Sequence, residues 1–340
     1  MVIVPPAAYG PAMKPRVLVT RANFPEVLDL LRAHFEVEDN QADEALDTEA
    51  LRKRLSDKDG ALFLPIDRVD AHILQGSPRL KAACNVAVGY NNIDVAACTT
   101  AGILVTNTPD VLTETTADLG FALMMAAARR MGEAERHVRA GQWDGWAIEQ
   151  FLGQDIHGAT LGIVGMGRIG QAIARRARGF DMQVLYHNRN RVPEETEDAL
   201  QARYVSLDDM LREVDFLMLT APYSAATHHL IGAPQLAAMK PTAVLVNLGR
   251  GGVVDDAALV DALRAGTIFA AGLDVYEGEP ALHRGFYELE NVVLTPHIAS
   301  ATRATRIRMS MTAANNLVAA LTGKRPPNLV NPEVWDRRRQ

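Results

Sequence analysis

A glycine-rich turn between a strand-like run and a helical pattern constrains the fold of this chain more than any other feature. The segment Leu161-Gly-Ile-Val-Gly165-Met-Gly167-Arg-Ile-Gly170 has the spacing G-x-G-x-x-G, and a helix is predicted over 171–180. The first glycine permits a tight turn, the second lets the backbone approach a pyrophosphate, and the third lets the helix pack on the strand. The helix N-terminus offers N–H groups to phosphate, so Met166, Arg168 and Ile169 are also predicted at this site. The segment therefore predicts a dinucleotide site in a parallel α/β sheet.

Short apolar runs alternate with helical patterns along the whole chain, an order typical of parallel α/β proteins. A length of 340 residues indicates two domains. In the second half, six predicted strands match a complete dinucleotide-binding sheet, and they lie at 161–164, 183–186, 216–219, 243–247, 270–274 and 292–295. In the first part, strands are predicted at 17–20, 61–64, 82–88 and 104–107. We therefore predict an α/β protein with two Rossmann-like domains, each built on a doubly wound parallel sheet.

Two further helical patterns decide the predicted domain boundaries. A long pattern from about Thr115 to Gly141 is expected to form one helix that bridges the domains. A last helix over 302–321 has no strand partner nearby in the sequence and is expected to return to the first domain. The substrate domain is then discontinuous, with 13–108 plus 300–332, while 109–299 forms the nucleotide domain and 1–12 an N-terminal extension.

Composition and charge exclude several classes of function. The net charge is −6, which gives no electrostatic case for binding nucleic acid or an anionic membrane. The most apolar run, Leu119–Ala128, is half the length needed to span a bilayer, and 1–12 lacks the pattern of a secretory signal. Two cysteines, Cys84 and Cys98, suit a reducing compartment without disulfides. We expect a soluble cytoplasmic protein with a small-molecule partner.

The second strand of the nucleotide domain carries the residues that choose between NAD and NADP. A carboxylate about 20 residues beyond the glycine turn would bind the ribose hydroxyls of NAD and repel the extra phosphate of NADP. The sequence here reads Tyr186-His-Asn188-Arg189-Asn-Arg191, with Asn188 in place of the acid. The planar guanidinium of Arg189 or Arg191 suits a phosphate dianion. The segment predicts that NADP(H) is preferred, with NAD(H) as the alternative.

Three polar residues follow successive strands of the nucleotide domain and suit hydride transfer to a carbonyl. Arg250 follows the strand at 243–247, Glu279 lies beyond the next strand, and His297 lies just beyond the last. Such chemistry needs a cation to hold a carboxylate, an acid to protonate the oxygen, and a carboxylate to orient that acid and favour its charged form. Because parallel sheets bind ligands at the carboxyl ends of their strands, the three side chains are expected to converge.

These segments, together with Val111–Asp118, resemble the D-isomer-specific 2-hydroxyacid dehydrogenase family from Met13 to about Pro332. The resemblance implies that Arg250 binds the substrate carboxylate and carbonyl. It implies that His297 is the general acid in reduction and that Glu279 is its partner. It also implies that Asp274 holds the nicotinamide carboxamide. The expected reaction is reduction of glyoxylate, hydroxypyruvate or 2-keto-D-gluconate to the D-2-hydroxy acid.

The same resemblance extends to other parts of the chain. It implies that the loop Val86–Asp94 binds substrate, with the backbone N–H groups of Val88 and Gly89 on the carboxylate. Residues after the strand at 216–219 are expected at the cofactor, namely Ala221, Pro222 and Thr227. A homodimer is implied, with Trp143 or Trp146 reaching a neighbour's substrate pocket as a hypothesis.

Other functions stay open at this point. The same machinery could act on a lactate-type or phosphoglycerate-type substrate, and a non-enzymatic NAD(H)-sensing scaffold could share this fold. His228 and His229 are adjacent, but the neighbouring sequence offers no Cys or acid cluster at ligand spacing, so we expect no metal site.

Overall fold

The structure, a computed structural model, describes residues 14–340, so the predicted extension at 1–12 lies outside the described residues. The chain divides into two compact units. The first contains the described residues up to Leu112 together with Thr302–Gln340, and the second is Thr113–Ala301. The boundaries therefore fall a few residues beyond the predicted ones at 108 and 299. The C-terminal segment beyond 332 also belongs to the first unit, where Arg339 donates to the carbonyls of Ser77, Pro78 and Leu80.

The first unit is a parallel five-stranded sheet in the order β2-β1-β3-β4-β5. Its strands are β1 Arg16–Val19, β2 Glu36–Asp39, β3 Gly60–Phe63, β4 Ala82–Asn85 and β5 Leu104–Thr106, and its helices are α1 Pro25–His34, α2 Thr48–Leu55, α3 Ala71–Gln75, α4 Val95–Thr100 and α12 Arg303–Leu321. A short 3-10 helix covers Pro332–Arg337. Adjacent strand residues enter different cores, with Val17 on one side of the sheet and Leu18 on the other. The C-terminal α12 packs on β3 and β4, which makes this unit discontinuous in sequence.

The second unit is a parallel seven-stranded sheet in the order β12-β11-β10-β9-β6-β7-β8. Its strands are β6 Thr160–Val164, β7 Gln183–His187, β8 Ala202–Tyr204, β9 Phe216–Leu219, β10 Val244–Asn247, β11 Ala270–Leu273 and β12 Val292–Leu294. Its α-helices are α5 Thr113–Ala128, α6 Met131–Arg139, α7 Arg168–Ala177, α8 Glu194–Leu200, α9 Leu207–Glu213, α10 Ala233–Ala238 and α11 Asp256–Ala265, with 3-10 turns at Arg178–Phe180 and Arg284–Glu288. The strand order reverses between β6 and β9, so the glycine turn after β6 lies at the switch point where such sheets bind ligands.

The prediction of one helix over 115–141 is wrong. The helix ends at Ala128, Arg130 takes a left-handed conformation with φ 51°, and a second helix begins at Met131. The carbonyl of Ala128 accepts a hydrogen bond from the Gln154 amide at 2.9 Å, and Gly153 passes so close that a Cβ there would lie 2.3 Å from that carbonyl. The left-handed Arg130 interrupts the helix, and the orphan carbonyl at its end is satisfied by this distant segment.

Two strands escape the sequence prediction, one in each sheet, so the first sheet has five strands rather than four and the nucleotide sheet has seven rather than six. β2 has the sequence Glu-Val-Glu-Asp and β8 has Ala-Arg-Tyr, and each forms an edge of its sheet. Edge strands are half-solvated and tolerate charged residues, so they lack the apolar run that marks a central strand. Within the described part of the chain, no helix combines the length and apolar character required to cross a membrane.

Candidate active site

The glycine turn after β6 has the close approaches that its spacing predicts. Gly165 has a φ of 104°, and a Cβ there would lie 2.6 Å from the amide nitrogen of Ala221. A Cβ on Gly170 would lie 2.3 Å from the Gly165 carbonyl, which explains why the start of α7 needs glycine. A Cβ on Gly167 would meet no atom within 4 Å. Packing inside the chain therefore does not require glycine at 167, whereas close approach of a ligand to the backbone would.

The polar residues of the segment after β7 differ in whether they are already paired within the chain. The Asn188 side-chain oxygen accepts a hydrogen bond from the Met166 amide at 2.6 Å, which ties this segment to the glycine turn. Arg191 donates twice to Glu197, at 2.7 and 2.5 Å, and this pairing together with the Tyr186 hydroxyl lowers the pKa of Glu197 to about 2. Arg189 is exposed and forms no ion pair with any described residue. The structure thus separates the two arginines that the sequence could not distinguish.

The residues after β9 form a compact turn beside the glycine loop. Ala221 is buried against Gly165. The Thr227 hydroxyl donates to the Pro222 carbonyl at 2.8 Å and accepts from the Ser224 amide at 2.8 Å. Pro222 is exposed and Thr227 half-buried. Their predicted role at the cofactor stays a prediction.

The fold places an acid, Glu277, beside the His228–His229 pair, and the sequence did not indicate this contact. Glu277 accepts from His229 Nε2 at 2.9 Å, and this contact raises the pKa of His229. Ligand atoms of His228, His229 and Glu277 lie within 4.8 Å of one another. The two imidazoles, however, stack with centroids 3.9 Å apart and planes 25° apart, so their in-plane lone pairs do not converge on one point. The arrangement is that of an ion pair with a stacked neighbour.

Arg250 lies in a tight turn between β10 and α11. The side-chain amide of Asn247 donates through Nδ2 to the Arg250 carbonyl at 3.1 Å, and its Oδ1 accepts from the backbone N–H of Gly249 at 3.1 Å. A Cβ on Gly251 would lie 1.7 Å from the Tyr276 carbonyl, so the turn is pressed against the segment after β11. Burial lowers the pKa of the Arg250 guanidinium, and the nearby Glu279 carboxylate opposes this effect. An arginine remains charged at neutral pH under such a shift.

His297 and Glu279 form the pair that the sequence predicts. His297 Nδ1 lies 2.9 Å from Glu279 Oε1, and their side chains are 36% and 33% exposed. Because Nδ1 is occupied, Nε2 is the nitrogen left to exchange a proton with a ligand. Glu279 also acts electrostatically on Arg250, so the structure brings all three predicted catalytic side chains together within the second unit.

Asp274 holds the backbone turn that carries His297. Its Oδ1 accepts from the Ile298 amide at 2.7 Å and from the Thr295 hydroxyl at 2.6 Å, and its Oδ2 accepts from the Ala299 amide at 2.8 Å. The residue is fully buried. His297 has a φ of 52°, which is uncommon for a residue with a side chain, and Asp274 holds the turn in this conformation. Binding of a carboxamide by Asp274 stays a prediction.

The predicted substrate loop after β4 belongs to the first unit. Val88 and Gly89 are half-buried there, and the strand predicted to continue to 88 ends at Asn85. Sequence reasoning missed the asparagines that brace both candidate loops, which are Asn85, Asn107 and Asn247. A polar residue at the end of an apolar strand is the one sequence signal that could have found Asn85 and Asn247.

Asp256 gives the second unit a pH-dependent stability. Burial raises its pKa to about 6, although it accepts a hydrogen bond from the Glu277 amide. A folded-state pKa above the unfolded one means that the group stabilises the fold below about pH 4, and this contribution is lost as the pH rises through 6.

Asp256→Asn should therefore stabilise the protein at pH 7.5 by up to about 3 kcal/mol while changing little at pH 4. Loss of the charge at the N-terminus of α11 opposes this by only about 0.5 kcal/mol. The measurement is the urea midpoint at both pH values, with Asp255→Asn as the control because asparagine also caps a helix. An equal shift at both pH values would contradict the assignment.

Comparison with a family model and with known proteins indicates one and the same family. Residues 121–299 match the family described as D-isomer specific 2-hydroxyacid dehydrogenase, NAD binding domain. A protein named glyoxylate reductase from Thermococcus onnurineus is 48% identical over 331 residues, covering 96% of this chain and 99% of that protein. Another of the same name, from Aeropyrum pernix, is 49% identical over 326 residues, covering 94% and 97%.

Solved structures agree with this result. A Thermus thermophilus protein superposes with a TM-score of 0.86 at 44% identity, covering 93% of this chain and 99% of that one. An NADPH-dependent glyoxylate/hydroxypyruvate reductase from Sinorhizobium meliloti, solved with NADP and malonate, gives 0.82 at 36% identity, covering 96% and 99%. The glycine turn, the paired histidine and the whole-length similarity lead to one conclusion: the chain belongs to the D-isomer-specific 2-hydroxyacid dehydrogenase family.

Proposed function

We propose that this chain reduces glyoxylate or hydroxypyruvate with NADPH, with 2-keto-D-gluconate as the next candidate substrate. The observation that carries the proposal is the His297–Glu279 pair, whose 2.9 Å contact leaves Nε2 as the proton donor, near the half-buried charge of Arg250. The names of similar proteins support glyoxylate and hydroxypyruvate.

The side chains divide the chemistry among them. The open backbone at Gly167 and the start of α7 fit a dinucleotide, which supplies the hydride when it is bound. Arg250 binds the substrate carboxylate and stabilises the negative charge that develops on the carbonyl oxygen. His297 Nε2 protonates that oxygen, while Glu279 orients the ring through Nδ1. In the first unit, Val88 and Gly89 offer backbone N–H groups that suit a carboxylate.

The preference for NADPH rests on Arg189. No carboxylate follows β7 among 188–192, and Arg191 is already neutralised by Glu197. The exposed guanidinium of Arg189 is therefore the cation in this segment that can bind a 2′-phosphate without breaking an existing ion pair.

Initial rates with NADPH and NADH on each of the three keto acids test the function and the cofactor together. Wild type should turn over faster with NADPH. Arg189→Ala should raise KM for NADPH about tenfold or more and leave KM for NADH unchanged, as expected for one charge-assisted contact. Arg191→Ala serves as the matched control with a smaller effect. NADPH binding without turnover on any keto acid would overturn the proposal.

We further propose a homodimer formed through the segment 131–152. Large apolar side chains are exposed along it, with Trp146 82%, Ile148 78%, Trp143 59% and Leu152 59% exposed. A patch of this kind on a soluble enzyme is typical of an interface between copies. Light scattering should give twice the chain mass, and Trp146→Ser with Ile148→Glu should give a monomer. A monomeric wild type at micromolar concentration would rule this interface out.

We also propose a cytoplasmic location. Cys84 and Cys98 are buried and unpaired, and burial raises the pKa of each thiol to about 12. Such thiols are inert, and their unpaired state fits a reducing compartment.

A further inference from the structure

Three successive carbonyl groups of the loop after β4 are bonded to other parts of the first unit. The Ala87 carbonyl accepts from the Thr108 amide at 2.8 Å. The Val88 carbonyl accepts from the side-chain amide of Asn107 at 2.8 Å, and the Gly89 carbonyl accepts from that of Asn85 at 2.8 Å. The loop therefore cannot rotate these peptide groups without breaking a hydrogen bond.

This anchoring fixes the direction of the N–H groups. In a planar trans peptide the C=O of one residue and the N–H of the next point in opposite directions. The Thr108 bond to Ala87 thus orients the N–H of Val88, and the Asn107 bond to Val88 orients the N–H of Gly89. In the same way, Asn85 orients the N–H of Tyr90. Among the described residues, nothing accepts a hydrogen bond from the Val88 or Gly89 N–H.

The two asparagines are themselves held in place. Asn85 is fully buried, and its amide also donates to Asn92 at 3.0 Å. Asn92 in turn donates to the carbonyls of Leu64 and Asp67. Asn107 is fixed through its backbone. Its backbone N–H donates to the Asn328 carbonyl, and its carbonyl accepts from the side-chain amide of Asn316. The donors that hold the loop carbonyls are therefore pre-oriented.

We propose that Asn107 and Asn85 are positioning residues for the substrate carboxylate, because they hold the loop carbonyls so that the N–H groups of Val88, Gly89 and Tyr90 face a bound anion. This rests on the proposed role of Val88 and Gly89 and adds Tyr90 as a third backbone donor. Neither asparagine touches the substrate. Oriented N–H groups in succession form a site for carboxylates because they need no reorganisation when the anion binds.

Asn107→Asp tests the inference, since aspartate has the same size but presents an oxygen to the Val88 carbonyl where the amide donated. The inhibition constant of oxalate, a carboxylate probe that cannot be reduced, should rise about 10- to 100-fold, the usual effect of losing one hydrogen bond to a charged group. KM for glyoxylate should rise similarly, with kcat changed far less, and the Kd for NADPH should stay the same. For Asn107→Ala, the inhibition constant of oxalate should lie between the wild-type and the Asn107→Asp values, because alanine removes the donor without adding repulsion.

Asn291→Asp is the matched control. Its amide also donates to two backbone carbonyls, those of Leu263 and Phe269, but it lies in the second unit. It should lower stability without changing oxalate inhibition. If Asn107→Asp fails to fold, Asn107→Ala and Asn85→Ala carry the same test. Wild-type oxalate inhibition in a folded, active Asn107 variant would overturn this inference alone, whereas an inactive wild type would overturn the proposed function.

Discussion

Replacing His297 by asparagine should lower kcat for keto-acid reduction about a thousandfold, within the range that a general acid contributes. Asparagine is the informative replacement because it tolerates the left-handed backbone that His297 adopts, with φ 52°, and can still bond to Glu279. It cannot deliver a proton at neutral pH. The measurement is kcat with saturating NADPH and glyoxylate.

The loss should be confined to the chemical step. The Kd for NADPH, measured by fluorescence titration, should match that of wild type, because Asp274 holds the backbone turn without involving the imidazole. Glu279→Gln keeps the imidazole and should cost less in kcat than His297→Asn. A His297→Asn variant that retains a tenth of the wild-type kcat would show that another group supplies the proton.

Arg250→Ala should lower kcat/KM for glyoxylate by about a thousandfold or more. One oxyanion-stabilising donor is worth roughly a hundred- to a thousandfold in kcat, and loss of carboxylate binding adds to it. The turn itself should survive, because Asn247 bonds to the backbone carbonyl of Arg250 rather than to its side chain. Urea unfolding and NADPH affinity should therefore stay near the wild-type values.

Arg250→Lys is the control that separates charge from geometry. Lysine keeps the positive charge but not the planar pair of donors that matches a carboxylate, so it should recover only part of the lost kcat/KM. If Arg250→Ala changed kcat/KM by less than tenfold, the assignment of Arg250 as the substrate-binding cation would be wrong.

Features that depend on local sequence could be predicted. The glycine turn, the alternation of strands and helices, and the order of Arg250, Glu279 and His297 all follow from residue types at fixed spacing. Each of the three residues lies beyond the carboxyl end of a parallel strand, and this rule predicted that they converge, while the family resemblance implied the Glu279–His297 contact that the structure places at 2.9 Å. The N-caps at Asp47 and Thr302 are likewise local, since each bonds to an amide three residues ahead.

Features that depend on distant partners could not be predicted. The helix end at Ala128 is satisfied by the distant Gln154, and the edge strands β2 and β8 exist because a neighbouring strand pairs with a polar segment. Arg189 and Arg191 look alike in the sequence, and only the folded position of Glu197 shows that Arg191 is already paired.

The sequence by itself therefore determined the fold class, the glycine turn and the placement of Arg250, Glu279 and His297 beyond strand ends, because short-range geometry and strand direction fix them. The tertiary structure alone decided which groups are already bonded within the described part of the chain and which are not. Asp274 and Asn107 are such cases, because hydrogen-bond partners far along the chain or on another loop fix where a carboxylate or an amide points.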